Sequence, residues 1–176
     1  MKKVILISAK AQNGKDTSAL ILKEIYESRG EKVLITHFAD LLKYICKQYF
    51  NWDGKKDEKG RTLLQYIGTD VVGAKNSAYW AEFIVSILQM FEDEWDYVII
   101  PDCRYPVEVA TIENVFDTTV IRIERPGFDN GLTEAQKKHP SEVDMDHYPF
   151  DAVIPNVAGL EELKAELLKF IDSLEV

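Results

Sequence analysis

Residues 4–17 of this chain, Val-Ile-Leu-Ile-Ser-Ala-Lys-Ala-Gln-Asn-Gly-Lys-Asp-Thr, carry an apolar run into a polar loop that closes on Gly14-Lys15 and hands over to helix formers. A buried strand, a loop and a helix in that order form the layout of a phosphate-binding loop. Amide groups freed from the sheet converge there, and the positive end of the helix dipole strengthens their field. Gly14 lets the backbone approach closely, and Lys15 can reach terminal phosphates. Two positions depart from the consensus G-x-x-x-x-G-K-[ST]. Ala9 stands at the first glycine and Asp16 at the metal-binding hydroxyl. An ordinary strand-to-helix turn with an exposed lysine is the competing reading; the flanking strand and helix favour phosphate.

The rest of the chain alternates strand and helix patterns. Strands are expected at 3–8, 32–38, 97–100, 119–124 and 152–154. The 119–124 strand reads as the alternating type. Helices are expected from Thr17 to Arg29, Leu41 to Phe50 with Asp40 as N-cap, and Arg61 to Val72. Others are expected over 76–94, Glu108 to Phe116 and Leu160 to Leu174. In the 76–94 helix, Trp80, Phe83, Ile84, Ile87, Leu88 and Phe91 mark one apolar stripe. Residues 51–60 read equally as a solvated linker and as a mobile flap. Residues 125–149 read as a polar excursion with one helical turn near Thr133 to Lys138. The fold class is therefore α/β, a five-stranded parallel sheet flanked by helices on both faces. Ligands of such sheets sit beyond the carboxyl ends of the strands. The clusters Ala9–Thr17, Asp40, Asp102–Arg104 and Arg125 onward all fall at such ends.

A length of 176 residues fits one domain. The formal charge of −9 argues against a nucleic-acid polymer as partner and leaves a small nucleotide open. Cys46 and Cys103 lack C-x-x-C spacing, which suits a reducing cytoplasm and no zinc site. The N-terminal apolar run is too short for a signal sequence, and no membrane span or membrane partner is expected.

Asp102, at the tip of an apolar strand, can hold a water of Mg²⁺ or accept a proton; a turn-capping carboxylate is the alternative. Asp16 becomes a metal ligand or anchor if Mg²⁺ is present, with the Thr17 hydroxyl nearby, and otherwise merely favours the helix N-terminus. Arg104 and Arg125 are candidates to clamp a moving phosphoryl group, whereas Arg122, inside its strand, reads as structural. Arg61 and Gln65 share a helix face; an acceptor phosphate and a base edge are the groups they would hold. Trp80 can border that pocket, and Asp40 is a further substrate-side candidate at a strand end. His139 reads as a surface residue, and Glu142 as a ligand for a sugar hydroxyl or base.

The residues from Ser8 to Ser18, with Gly-Lys-Asp-Thr closing the loop, resemble the nucleotide loop of phage-type deoxynucleoside monophosphate kinases. The resemblance continues through 63–70, Tyr79-Trp80, 96–104 with Glu108, Glu124-Arg125-Pro126-Gly127 and 159–163. It implies a three-layer P-loop NTPase fold of the adenylate kinase-like group, and transfer of the ATP γ-phosphoryl group to a deoxynucleoside monophosphate with Mg²⁺. By that resemblance Lys15 matches the phosphate-loop lysine, Arg61, Gln65 and Trp80 lie on the acceptor side, and Asp102 and Arg104 match the family's Asp-x-Arg segment. Together with the residue reading above, Ala11, Gln12, Asn13, Gly14, Lys15, Asp16 and Thr17 are expected to bind the donor, and Lys15, Asp102, Arg104 and Arg125 to act on the phosphoryl group. Asp16, Thr17 and Asp102 are expected to meet the metal, and Asp40, Arg61, Gln65, Trp80 and Glu142 to serve the acceptor. Acceptor helices occupy about 40–94 and a closing lid about 126–149. Ala9 departs from the family, and the segment before Arg61 is shorter here, so base preference does not transfer. A phosphomevalonate kinase-like enzyme and a non-catalytic nucleotide-binding regulatory module are the alternatives. Homodimer formation is left open.

Overall fold

The molecule, a computed structural model, is described over residues 1–174. Its elements in order are β1 (Lys3–Ala9), α1 (Lys15–Ser28), β2 (Val33–Ile35), α2 (Ala39–Tyr49) and α3 (Glu58–Gln65), then a π-helical segment (Tyr66–Gly73). There follow α4 (Tyr79–Met90), β3 (Tyr97–Ile100), α5 (Pro106–Glu113), β4 (Thr118–Glu124), α6 (Glu134–Lys137), α7 (Pro140–Val143), β5 (Ala152–Pro155) and α8 (Leu160–Leu174). All strand pairs are parallel, in the order β2-β3-β1-β4-β5.

The two-residue period of the strands sorts the core into two layers. Val4, Leu6, Val98, Ile100 and Val120 face α2, α4 and α5. Ile5, Ile7, Ile99, Ile121 and Ile123 face α1 and α8. Each such fully buried side chain contributes about 2 kcal/mol. Both faces are covered, so β4 is buried along its length (Thr119 to Ile123) and is not the half-exposed strand its alternation suggests. Arg122 is tolerated there because it bonds Ser8 Oγ and Asp146 Oδ1, each at 3.1 Å.

Other boundaries move for local reasons. β2 stops at Ile35; Thr36 N–H still reaches Ile99 O at 3.1 Å, and the chain then turns. Asp40 does not cap α2. Both oxygens of Asp102 accept the N–H groups of Phe38 and Ala39, at 2.9 and 3.1 Å, while Asp40 folds back to the His37 N–H at 3.1 Å. α3 begins earlier than expected because Asp57 caps it through Gly60 N–H at 2.8 Å. The helix expected over 76–94 is shorter at both ends. Asn76 closes a turn on Ala78 N–H at 3.0 Å, and Phe91 leaves the stripe to meet Trp95. Phe83 and Phe91 are exposed, so Trp80, Ala81, Ile84 and Leu88 form the buried face. Among the described residues no helix is long and apolar enough to cross a membrane.

Chain connections run from β1 across β3 to β2, and from β3 across β1 to β4. The carboxyl ends of β1 and β3 therefore flank the topological switch point, where α/β sheets hold ligands. Cys103 N–H bonds Ile7 O at 3.2 Å and ties those two ends together.

Candidate functional site

The loop leaving β1 is held in an uncommon backbone shape. Gln12 and Gly14 both have positive φ, 62° and 99°. Such a shape turns successive amides to one side and makes an anion nest. Gln12 adopts it without glycine's freedom, a local strain that the fold must hold in place. A Cβ on Gly14 would fall 2.5 Å from Asn156 Nδ2. Asn156, just past β5, donates to Asn13 O at 3.0 Å and fastens the loop from outside. No side chain caps α1, so its first N–H groups are left for another acceptor. Lys15 sits at this helix start, 2.9 Å from Asp16 Oδ1.

His37, at the end of β2, stands 3.7 Å from Asp16 through Nε2 and 3.3 Å from Asp40 through Nδ1. The Asp16 carboxylate raises His37 above its ordinary value against the opposing effect of burial, and Asp102 and Asp40 add to the rise. His37 in turn, with Lys15, holds Asp16 well below the usual carboxylate range. Lys43 closes the group on Asp40 at 3.0 Å.

Beyond β3, Arg104 reaches across to the 125–151 excursion. Its Nη1 donates to Ser141 O at 2.7 Å and to Glu142 Oε1. The second oxygen of Glu142 accepts the Ala11 N–H of the β1 loop at 3.2 Å. Lys10 joins the same place, donating to Glu142 O and bonding Asp146. Glu142 is thus buried between the loop and Arg104, its side chain 7% exposed. Glu108 lies beneath. It accepts Arg104 N–H at 2.7 Å and Tyr105 N–H at 3.0 Å, and so shapes the turn that aims Arg104. Burial pushes its carboxyl up to about 8; the bond from Arg104 N–H opposes the rise, and the Asp102 charge adds to it.

One cleft of about 380 Å³ joins these groups to the helices of the other side. Arg61, Gln65, Gly68, Thr69 and Trp80 line its far wall. The π-helical segment builds that wall. It presents Gly68 O to Trp80 Nε1 at 3.1 Å and Thr69 Oγ1 to the Tyr105 hydroxyl at 3.1 Å. Arg61 Nε donates to Lys56 O at 2.9 Å.

Of the residues singled out from the sequence, Ala11, Gln12, Lys15, Asp16, Arg61, Gln65, Trp80, Asp102, Arg104 and Glu142 line this one cleft. Asn13, Gly14 and Thr17 support it from the loop and helix start without lining it. Asp40 stands behind His37 and Lys43. Arg125 is elsewhere: its guanidinium lies over the Phe128 ring at 4.0 Å, exposed. His139 caps α7 by accepting Ser141 N–H at 3.2 Å. His37, Lys43, Lys56, Tyr105 and Glu108 also line the cleft. His37 and Tyr105 carried a usable signal, since each follows closely on a strand end. Glu108 carried one only through the family resemblance, and Lys43 and Lys56 carried none that distinguishes them from surface charge.

Comparison with known proteins bears on the family and the fold. A profile of the family described as deoxynucleotide monophosphate kinase matches residues 36–167. A curated relative, the deoxynucleotide monophosphate kinase of Enterobacteria phage T4, is 32% identical over 109 residues, 61% of this chain and 43% of the relative. The matched stretch thus spans less than half of that relative's length. Among solved structures, a Mycobacterium tuberculosis APS kinase in complex with AMPPNP and APS aligns with a TM-score of 0.56 at 12% identity, covering 99% of this chain and 98% of that one. A dephospho-CoA kinase from Campylobacter jejuni aligns with a TM-score of 0.50 at 17% identity, over 99% and 98%. At such identities the likeness is one of fold: a five-stranded parallel sheet between helices, as in P-loop kinases.

Proposed function

The chain belongs to the deoxynucleotide monophosphate kinase family, and from that premise we propose that it transfers the γ-phosphoryl group of ATP to a (deoxy)nucleoside monophosphate, giving ADP and a diphosphate. The observation that carries the reading is the single cleft in which the amide nest and Lys15 stand opposite Arg61, Gln65 and Trp80, with Arg104 between. Two anionic substrates would meet there with their phosphates at the middle.

In this reading the loop 10–14 and the start of α1 bind the donor phosphates through N–H groups, and Lys15 follows the β- and γ-oxygens. Arg104 acts on the charge that spreads over the moving group. Its partner Glu142 joins the excursion over 126–149, acting as a lid, to the donor loop until the donor phosphates claim Ala11 N–H and Arg104. Helices within 40–94 carry the acceptor, with Trp80 and Leu64 against the base and Gln65 offering an amide to its edge. The whole of 1–176 then works as one kinase domain. Transfer is direct and in line, and closure over the site keeps water from the phosphoryl group.

A divalent cation suits the donor side. Asp16 is exposed, held ionised, and adjacent to the amide nest. Mg²⁺ is commonly held through water by one or two carboxylates together with substrate phosphates. Asp16, Thr17 and Asp102 are the residues that would hold it. When bound it neutralises charge at the β- and γ-oxygens. The oxygens of Asp102 already accept Phe38 and Ala39 N–H, so Asp102 would meet the ion through water.

The test is ADP release against a panel of deoxy- and ribonucleoside monophosphates, with wild-type protein and Lys15→Ala. Acceptor-dependent ADP from the wild type, reduced about 100-fold or more in the variant with the fold intact, is expected. Undiminished turnover by Lys15→Ala refutes the assignment. ADP that does not depend on any nucleotide acceptor refutes the substrate class.

A further inference from the structure

Five cations border the cleft: Lys15, Lys43, Lys56, Arg61 and Arg104. Three are matched by acids. Lys15 pairs with Asp16 at 2.9 Å, Lys43 with Asp40 at 3.0 Å, and Arg104 with Glu142. Lys56 and Arg61 have no ion pair among the described residues. Lys56 and Arg61 are therefore the cations of the cleft that no acid pairs, in a chain whose formal charge is −9. A concave site of one sign on a surface of the other collects counter-ions.

The chain around Lys56 is held rather than free. Trp52 is buried and donates from Nε1 to Lys55 O at 3.0 Å. Asp53 accepts Lys55 N–H at 2.9 Å, and Arg61 Nε takes Lys56 O at 2.9 Å. A Cβ on Gly60 would lie 2.0 Å from Lys55 O, so only glycine lets α3 pack this closely on the turn. Two successive carbonyls are thus clamped, and the Lys56 ammonium is delivered to the cleft wall. Burial lowers the Lys56 pKa, the charges of Lys43, Lys15 and Arg104 lower it further, and the Asp16 charge opposes them. An entering dianion would offset the repulsion among these cations.

We infer that Lys56, presented by the turn that Trp52 and Arg61 clamp, binds the phosphate of the acceptor monophosphate together with the terminal nitrogens of Arg61. The inference rests on the kinase reading for its substrate, and it adds a binding residue that neither the sequence patterns nor the family description assigns. Lys56 is then the group that tells a monophosphate from its parent nucleoside, and the 51–60 loop is a built part of the acceptor site.

The experiment compares wild type, Lys56→Met, Lys56→Arg, Trp52→Phe and the Lys56→Met/Trp52→Phe double variant. It reads the KM of each monophosphate in ADP release, and direct binding of monophosphates, parent nucleosides and a non-hydrolysable ATP analogue. Lys56→Met should raise the acceptor KM about 10- to 100-fold, the range for loss of a charged hydrogen bond. Lys56→Arg should restore most of it, while nucleoside and ATP-analogue affinity hold. Trp52→Phe should raise the acceptor KM several-fold in the wild-type background and not at all in Lys56→Met. An unchanged acceptor KM in Lys56→Met, or an equal loss for nucleoside and monophosphate, overturns the inference. Additive effects of the two substitutions overturn the claim that the clamp acts through Lys56. If wild-type protein binds monophosphates through Lys56 but releases no acceptor-dependent ADP, the kinase reading fails and this assignment stands.

Discussion

Substituting Glu142→Gln separates two roles that this carboxylate combines. The carboxylate accepts Ala11 N–H at 3.2 Å and pairs with Arg104 Nη1. Both donors are ones that a nucleotide phosphate would claim. Glu142 therefore occupies an anion position between the amide nest and the arginine. Glutamine keeps the size and an accepting oxygen and removes the charge. A charged hydrogen bond is worth about 1.5–3 kcal/mol and a neutral one about 0.5–1.5, so the substitution costs about 1–2 kcal/mol. The figure is not reduced much by solvent, because the two side chains are 7% and 29% exposed. Ser141 O still holds Arg104 at 2.7 Å, which limits the loss.

That free energy has opposite signs in two assays. Thermal denaturation of the protein without added nucleotide should show a Tm lower by about 2–8 °C, at about 2–4 °C per kcal/mol for a chain of this size. Titration with a non-hydrolysable ATP analogue should show binding about 5- to 30-fold tighter, since the same 1–2 kcal/mol no longer opposes displacement. Calorimetry reads the second quantity directly. A variant that loses stability and also binds the analogue more weakly refutes the reasoning, because Glu142 would then be a group that the bound state uses. An unchanged affinity refutes it as well, since the nucleotide would not compete for these donors.

Gly14→Ala should destabilise by about 2–4 kcal/mol and weaken nucleotide binding, because left-handed backbone strain adds to a contact of 2.5 Å with Asn156 Nδ2; denaturant midpoints and analogue titration check it. Glu108→Gln should flatten the pH dependence of stability. The native carboxyl keeps its proton up to about 8 while the unfolded chain releases it near 4.5, so this group's contribution is full below that lower value and lost as pH rises through the upper one. Wild type minus variant, measured by urea unfolding between pH 5 and 8, should fall with pH by at most about 1.4 kcal/mol per unit; a difference that rises with pH contradicts the assignment.

Much of the fold can be read from local pattern because its determinants are local. Short, largely apolar segments of three to seven residues marked all five strands, and the glycine-lysine loop between β1 and α1 marked the end of the sheet that carries the site. Errors fell where a distant group decides a local event. Asp102, sixty-odd positions away, ends the stretch after β2 and starts α2, so Asp40 was a reasonable cap by proximity and was displaced by a carboxylate that no window contains. The π-helical turn has a helix's apolar spacing, and its Gly68 O is taken by the Trp80 indole twelve residues on, a contact no local window contains. Arg125 follows a strand as Arg104 does. Pro126 and Gly127 turn the chain outward there, and Phe128 takes the guanidinium.

The candidate site divides along the same line. Its donor half is one continuous segment, and the sequence displays it. Its other half is assembled from contacts at long separation: Ala11 with Glu142 across 131 positions, Thr69 with Tyr105 across 36. Charge explains why those contacts converge. Each cation brought to the cleft to hold phosphate is either balanced by an acid of the chain or left for an anion. Asp16, Asp40 and Glu142 balance Lys15, Lys43 and Arg104. Lys56 and Arg61 are left unbalanced on clamped backbone. A monophosphate therefore meets bare charge, whereas a nucleotide tail must displace a carboxylate. The acceptor half should for that reason show the steeper loss of affinity with added salt, since its charge has no internal partner to fall back on.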